Sequence, residues 1–188
     1  NQLSGTIPPW LGGLQGLSEL RLNSNQFTGM IPSELGNLTN LYGLALEFNQ
    51  LSGAIPAALG NLGNLNYLDA TGNQLIGPIP PELGFLASLQ VLYLGNNRLE
   101  GAIPSQLGSL SNLNGLSLNG NRLNGPLPTS LSELTALGWL DLRWNALYTS
   151  NGTLDAFLDA RQIEVGDWSA TQTVAPTDFQ VLAAGPSA

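Results

Sequence analysis

The chain has 188 residues, a net charge of −8, no Cys and no His, and its five basic residues are all arginines. So little basic charge excludes recognition of nucleic-acid phosphates and docking on an anionic membrane surface, both of which need clustered Lys or Arg. Without Cys or His the usual ligands of zinc, copper, haem and iron–sulfur clusters are missing, so no cofactor is expected, and only an oxygen-ligated calcium or magnesium site would remain open. No apolar run approaches the roughly 20 residues that span a bilayer. No basic start followed by an apolar stretch marks a signal peptide within these residues.

From the first residue the chain is periodic. Asn stands at Asn1, Asn25, Asn49, Asn73, Asn97, Asn121 and Asn145, a constant spacing of 24. Each of the first six is followed four residues on by Gly (Gly5, Gly29, Gly53, Gly77, Gly101, Gly125) and seven on by Pro (Pro8, Pro32, Pro56, Pro80, Pro104, Pro128). Within a unit, Leu17, Leu20 and Leu22 predict a short strand buried on one side. Ile7, Leu11 and Leu14 complete an inward apolar ring, which one unit cannot bury alone and which stacking turns into a continuous column. The Asn after each strand reads as a buried ladder residue whose amide satisfies backbone groups at the turn: Asn25, Asn49, Asn73, Asn97, Asn121 and Asn145. The Gly suits a turn of positive φ, and the Ile-Pro step ends regular hydrogen bonding. The segment after it, such as Ser33–Leu38, predicts a short helical turn on the outer side. Ala70 stands where other units have Leu, and an unfilled gap there would cost about 2–5 kcal/mol.

Written out, LxxLxLxxNxLxGxIPxxLGxLxxL resembles the leucine-rich repeats of plant receptor ectodomains, of polygalacturonase-inhibiting proteins and of similar bacterial surface proteins. The resemblance covers residues 1–148. It implies an α/β repeat solenoid, a right-handed horseshoe with a parallel β-sheet on the concave face and short helical turns on the convex one. Plant ectodomains carry paired cysteines in their caps; their absence here points to a bacterial or algal extracellular multidomain protein.

The two ends differ. Asn1 is a ladder residue without its strand, so the chain is expected to be a fragment of a longer, signal-bearing protein, monomeric in this form. At the other end, Leu154, Phe157 and Leu158 at i, i+3 and i+4 predict a short amphipathic helix over the last coil, with Asn151 or Thr153 as N-cap. Residues 149–175 are assigned to this capping helix and a closing segment, and 176–188 to a linker or the start of a β-sandwich module. The stretch from Pro176 to Val181 resembles a fibronectin type III opening strand. Asn37-Leu38-Thr39 and Asn151-Gly152-Thr153 match the glycosylation acceptor pattern, a weak signal in so Asn-rich a chain.

Function is expected on the strand residues that point away from the core. Tyr67, Val91 and Tyr93 suggest an apolar stripe in mid-sheet, and Trp139 and Trp144 bracket Asp141 and Arg143. Trp144 has a second reading, packed beneath the C-terminal helix, and Asp141 with Arg143 has one as an ordinary surface pair. Asp69 and Glu47 are candidate sheet neighbours. Exposed aromatics beside Arg are favoured at interface hot spots, and planar rings beside acids and amides also suit sugars. Without His, Cys or Lys the common catalytic triads cannot be assembled, so no enzyme activity is expected. The leading expectation is a non-catalytic extracellular or cell-surface module binding protein, peptide or glycan on its concave face. The alternative is a structural spacer or adhesion scaffold with no ligand of its own, favoured by the smooth fifth strand with Gly115 and Ser117.

Overall fold

The computed structural model describes residues 1–162 and 168–172. Each 24-residue unit forms one coil, and each coil contributes two short strands and one 3-10 turn. The inner sheet is made of β2 (Glu19–Arg21), β4 (Gly43–Ala45), β6 (Tyr67–Asp69), β8 (Val91–Tyr93), β10 (Gly115–Ser117) and β12 (Trp139–Asp141). A second sheet is made of β1 (Ser4–Thr6), β3 (Gln26–Met30), β5 (Gln50–Gly53), β7 (Gln74–Gly77), β9 (Arg98–Gly101), β11 (Arg122–Pro126) and β13 (Ala146–Tyr148). Both run in repeat order with parallel pairing. In the inner sheet the register is in phase, Gly43 beside Tyr67, Tyr67 beside Val91, Val91 beside Gly115 and Gly115 beside Trp139.

The second sheet is not anticipated by the reading of the Gly as a turn residue. Its signal is the alternation Asn25, Phe27, Gly29, Ile31: Phe27 and Ile31 are buried, while Gln26, Thr28 and Met30 between them are exposed. Gly29 keeps φ at +76°, so turn geometry and strand pairing coexist there. The turn expected over Ser33–Leu38 is a 3-10 turn, Ser33–Asn37. Its Gly36 is required by close stacking, because a Cβ there would collide with the carbonyl oxygen of Ala58 in the next coil.

The leucines form one core from Ile7 to Leu158. Ala70 lies within it at 2% exposure. Of the six ladder asparagines, Asn49, Asn73, Asn97 and Asn145 are buried and Asn25 and Asn121 half-buried. Asn73 Nδ2 donates to Leu46 O at 3.0 Å in the preceding coil and to Ala70 O at 3.1 Å in its own. Its Oδ1 accepts from Leu51 N at 2.9 Å, again in the preceding coil. Each rung thus ties two coils, and the pattern recurs at Asn49, Asn97, Asn121 and Asn145. A second, outer series escaped the sequence reading: Asn40, Asn64 and Asn112 each donate to a carbonyl of the preceding coil at 2.8 Å.

At the C-terminal end, α1 (Gly152–Asp159) starts on Asn151, whose Oδ1 accepts from the backbone N–H groups of Thr153 and Leu154. Leu154 and Leu158 are fully buried on the last coil, and Phe157 packs at its edge beneath the Arg161 guanidinium, 3.7 Å from the ring centroid. The Thr171-Gln172 stretch has no repeat character in sequence, yet Gln172 serves as the next rung. Its Oε1 accepts from Leu147 N at 2.9 Å and its Nε2 donates to Leu142 O at 3.1 Å. The expected β-sandwich start after Pro176 lies outside the described residues.

Candidate functional site on the inner sheet

The outward side chains of the inner sheet fall into two groups. The first is a diagonal run of rings. Tyr67 meets Tyr93 edge-on at 6.2 Å between centroids, and Tyr93 meets Trp139 at 5.0 Å, tilted by 40°. Tyr93 and Trp139 stand two strands apart, with β10 between them. They meet because β10 offers Gly115: a Cβ there would lie 3.2 Å from Tyr93 Oη and 3.3 Å from Trp139 Nε1. What reads in sequence as a smooth strand is therefore the gap that lets the rings close. Burial pushes the Tyr93 phenol up from its ordinary value, opposed by a hydrogen bond from the Trp139 side chain. Val91 sits half-buried beside Tyr67 in the same row.

Asp141 and Arg143 adjoin this run as a closed pair. Arg143 donates to Asp141 from Nε at 2.9 Å, from Nη2 at 2.9 Å and from its backbone N–H at 3.1 Å. Asp141 is buried at 4% exposure, so its carboxylate is spent on Arg143. Trp144 does not pack beneath the C-terminal helix. It is 57% exposed with φ at +60°, one residue before the ladder Asn145. The same slot is left-handed in every unit, at Ser24, Phe48, Gly72, Asn96 and Gly120. A left-handed conformation costs an aromatic residue about 1–2 kcal/mol, so these side chains project from the turn and not from the strand.

The second group surrounds a hollow. Because β4 presents only Gly43 and Ala45, a cavity of about 330 Å³ opens between its neighbours, lined by Glu19, Arg21, Asn23, Tyr42, Glu47 and Tyr67 with those two small residues as floor. Arg21 is tied to Glu19, with Nε 2.7 Å from Oε1. Asp69 is likewise engaged, accepting from Tyr67 Oη at 3.0 Å and from Thr71 N at 2.8 Å. Burial drives the Tyr67 phenol far above its usual range, and the Asp69 carboxylate adds to the rise. Glu47 differs, since its Oε2 is shut off from water and has no hydrogen-bond partner. Burial raises its carboxyl above the usual value; its own backbone N–H opposes this, Asp69 adds to it, and Arg21 opposes it. Tyr42 was missed as a site residue. Its signal was an aromatic in a column otherwise filled by Ser18, Asn66, Gln90, Asn114 and Gly138.

The structure therefore brings Tyr67, Tyr93 and Trp139 together and sets Glu47 and Asp69 beside Tyr67, while Trp144 stands apart on the rim. Among the described residues no group of three or more acidic side chains is placed to hold a metal ion. No helix among them is long and apolar enough to cross a membrane.

The family model for leucine-rich repeats matches residues 15–75 and 87–147. The chain belongs to the leucine-rich-repeat family. No curated protein matches it. Among solved structures it is similar to the ectodomain of the receptor kinase GASSHO1/SCHENGEN3 from Arabidopsis thaliana, in complex with CASPARIAN STRIP INTEGRITY FACTOR 2. That likeness has 40% identity and a TM-score of 0.76, over 78% of this chain and 18% of that one. It is similar also to the Arabidopsis HAESA ectodomain bound to an IDA peptide hormone ligand, at 39% identity and a TM-score of 0.76, over 85% of this chain and 27% of that one. A plant ice-binding protein matches at 29% identity and a TM-score of 0.72, over 87% of this chain and 61% of that one. This leucine-rich-repeat chain thus spans less than two thirds of each of these proteins.

Proposed function

We propose that this leucine-rich-repeat chain is a non-catalytic extracellular recognition module, monomeric, that binds a peptide or protein segment, or a glycan, along its inner sheet. The observation that carries the reading is the diagonal ring run Tyr67–Tyr93–Trp139. It is half-buried, held in place by its own contacts and still open to the concave side. Rigid aromatic anchors of this kind supply contact area at little cost in side-chain entropy. The two receptor ectodomains similar to it were each solved with a bound factor or hormone, which favours a polypeptide ligand. Asp141–Arg143 would act as a rim of fixed charge, Val91 and Asp69 as flanks of the ring run, and Trp144 as an outlying contact.

Trp139→Ala and Tyr93→Ala should each weaken binding of a partner selected from peptide display or a glycan array by about thirtyfold or more, as truncation of a central aromatic anchor does. Gln106→Ala on the exposed outer side should leave it unchanged. If the outer change abolished binding and the inner ones did not, the inner sheet is not the binding face. If the parent protein selects no partner at all, the spacer reading takes its place.

A further inference from the structure

The hollow over β4 has a chemistry of its own, distinct from the ring run. On this face carboxylates and guanidinium groups pair two residues apart: Glu19 with Arg21 and Asp141 with Arg143. Asp69 has Thr71 in the corresponding place and is satisfied by that residue's N–H and by Tyr67. Glu47 has Ala45 two residues before it and Asn49, a ladder residue, two after. Among the described residues no guanidinium forms an ion pair with Glu47, and Arg21 is drawn to Glu19 on the far wall. The result is a carboxylate with one dry, unpartnered oxygen, on the wall of a cavity of about 330 Å³ that also has two tyrosine rings, Tyr42 and Tyr67.

A buried carboxylate oxygen without a donor is costly, and a charged donor entering from the open side relieves that cost. The terminal torsion of Glu is broad, so a small rotation turns Oε2 into the hollow. Planar aromatic walls beside a carboxylate suit a guanidinium, which stacks on rings while donating in a fork, better than a compact, strongly hydrated ammonium. A divalent cation fits less well, because Asp69 is engaged and Glu19 is held by Arg21.

We infer that the hollow formed by Gly43, Ala45, Tyr42, Glu47 and Tyr67 receives an arginine side chain of the bound polypeptide, with Glu47 as its carboxylate partner. The inference rests on the recognition reading and narrows it to a peptide bearing arginine. It is tested without the natural partner. N-acetyl-arginine amide is titrated into the chain and followed by amide chemical shifts, with N-acetyl-citrulline amide as the neutral isostere and magnesium chloride as the competing cation. Arginine amide should give saturable shifts centred on Tyr42, Glu47 and Tyr67, and citrulline amide should bind about tenfold more weakly or less, as expected when a charge-assisted bond is lost. Glu47→Gln should weaken arginine amide to the same degree. Glu34→Gln, an equal charge change at an exposed outer position, should not. Equal binding of the two amides, shifts produced by magnesium alone, or an unaffected Glu47→Gln protein would each overturn the assignment. If the arginine site fails while Trp139→Ala still weakens a selected partner, recognition by the inner sheet stands and only the arginine assignment falls.

Discussion

Two columns of side chains run the length of the solenoid within a few residues of each other, and they admit very different variation. In the ladder column every coil has Asn. Two places before it, the inner face has in turn Asn23, Glu47, Thr71, Gly95, Asn119 and Arg143. The physical difference is the number of coils each side chain must satisfy. Asn97 donates to Ala70 O in the preceding coil and to Leu94 O in its own, and accepts from Leu75 N. A side chain without an amide there would strand buried backbone groups, and where the rung is not Asn it is Gln172, which offers the same amide. An inner-face residue has open space on one side, so its identity is free to answer to a ligand. Stability resides in the column that keeps its amide, and the proposed recognition would draw on the one that varies.

The comparison is broken most severely by removing the end of the stack. Deleting everything after Tyr148 takes away Leu154, Leu158 and the Gln172 rung together. Losing the burial of those two leucines alone costs about 3–6 kcal/mol, and the exposed edge of the core should drive association. Light scattering and thermal melting should show aggregation and a large loss of stability. A monomer with unchanged melting would mean that α1 is not holding the last coil.

Within the stack, Asn97→Ala should cost about 1–3 kcal/mol, since it leaves several buried backbone groups unpaired at once. Gln172→Ala, which removes the terminal rung at the end of the stack, should cost less. Asn119→Ala on the inner face loses an acceptance from the Ser117 hydroxyl and should stay within about 0.5 kcal/mol of the parent. Calorimetry on the three variants orders them. Equal shifts for Asn97→Ala and Asn119→Ala would erase the distinction between the columns.

This difference also governs what could be read before the structure. The period, the ladder and the helical turns were legible because each is a local rule repeated every 24 residues; the single end helix was legible from the spacing of Leu154, Phe157 and Leu158, with Asn151 one of two N-cap candidates. The second sheet was not, because a Gly that suits a turn sits in six of its seven strands and those strands exist only by pairing with the neighbouring coil. Gln172 was hidden because a longer side chain reaches the rung position from an irregular segment. On the inner face the sequence located the outward residues but not their contacts. The Tyr93–Trp139 contact depends on the glycine between them, and the Asp141–Arg143 pair consumes groups that looked available. Trp144 was placed on the strand when its backbone had already turned left-handed.

The smallest predicted effect tests whether the inner face is tuned for stability at all. Burial raises the Glu47 carboxyl above its ordinary value, partly offset by its own backbone N–H and by Arg21, with Asp69 adding to the rise. A raised value means that the folded chain holds this proton more tightly than the unfolded chain does. The corresponding stability is fully present below the ordinary glutamate pKa and is lost as pH rises through the raised one. At pH 7 the charged carboxylate is therefore a burden on the fold, and at pH 4 it is not. Glu47→Gln removes that titration. The difference in Tm between variant and parent should move in favour of the variant between pH 4 and pH 7. Taking the difference at each pH cancels the contribution of acids remote from Glu47. A shift in the opposite direction would mean that Glu47 is stabilised as a carboxylate in the folded chain, and that the inner face there serves the fold as the ladder does.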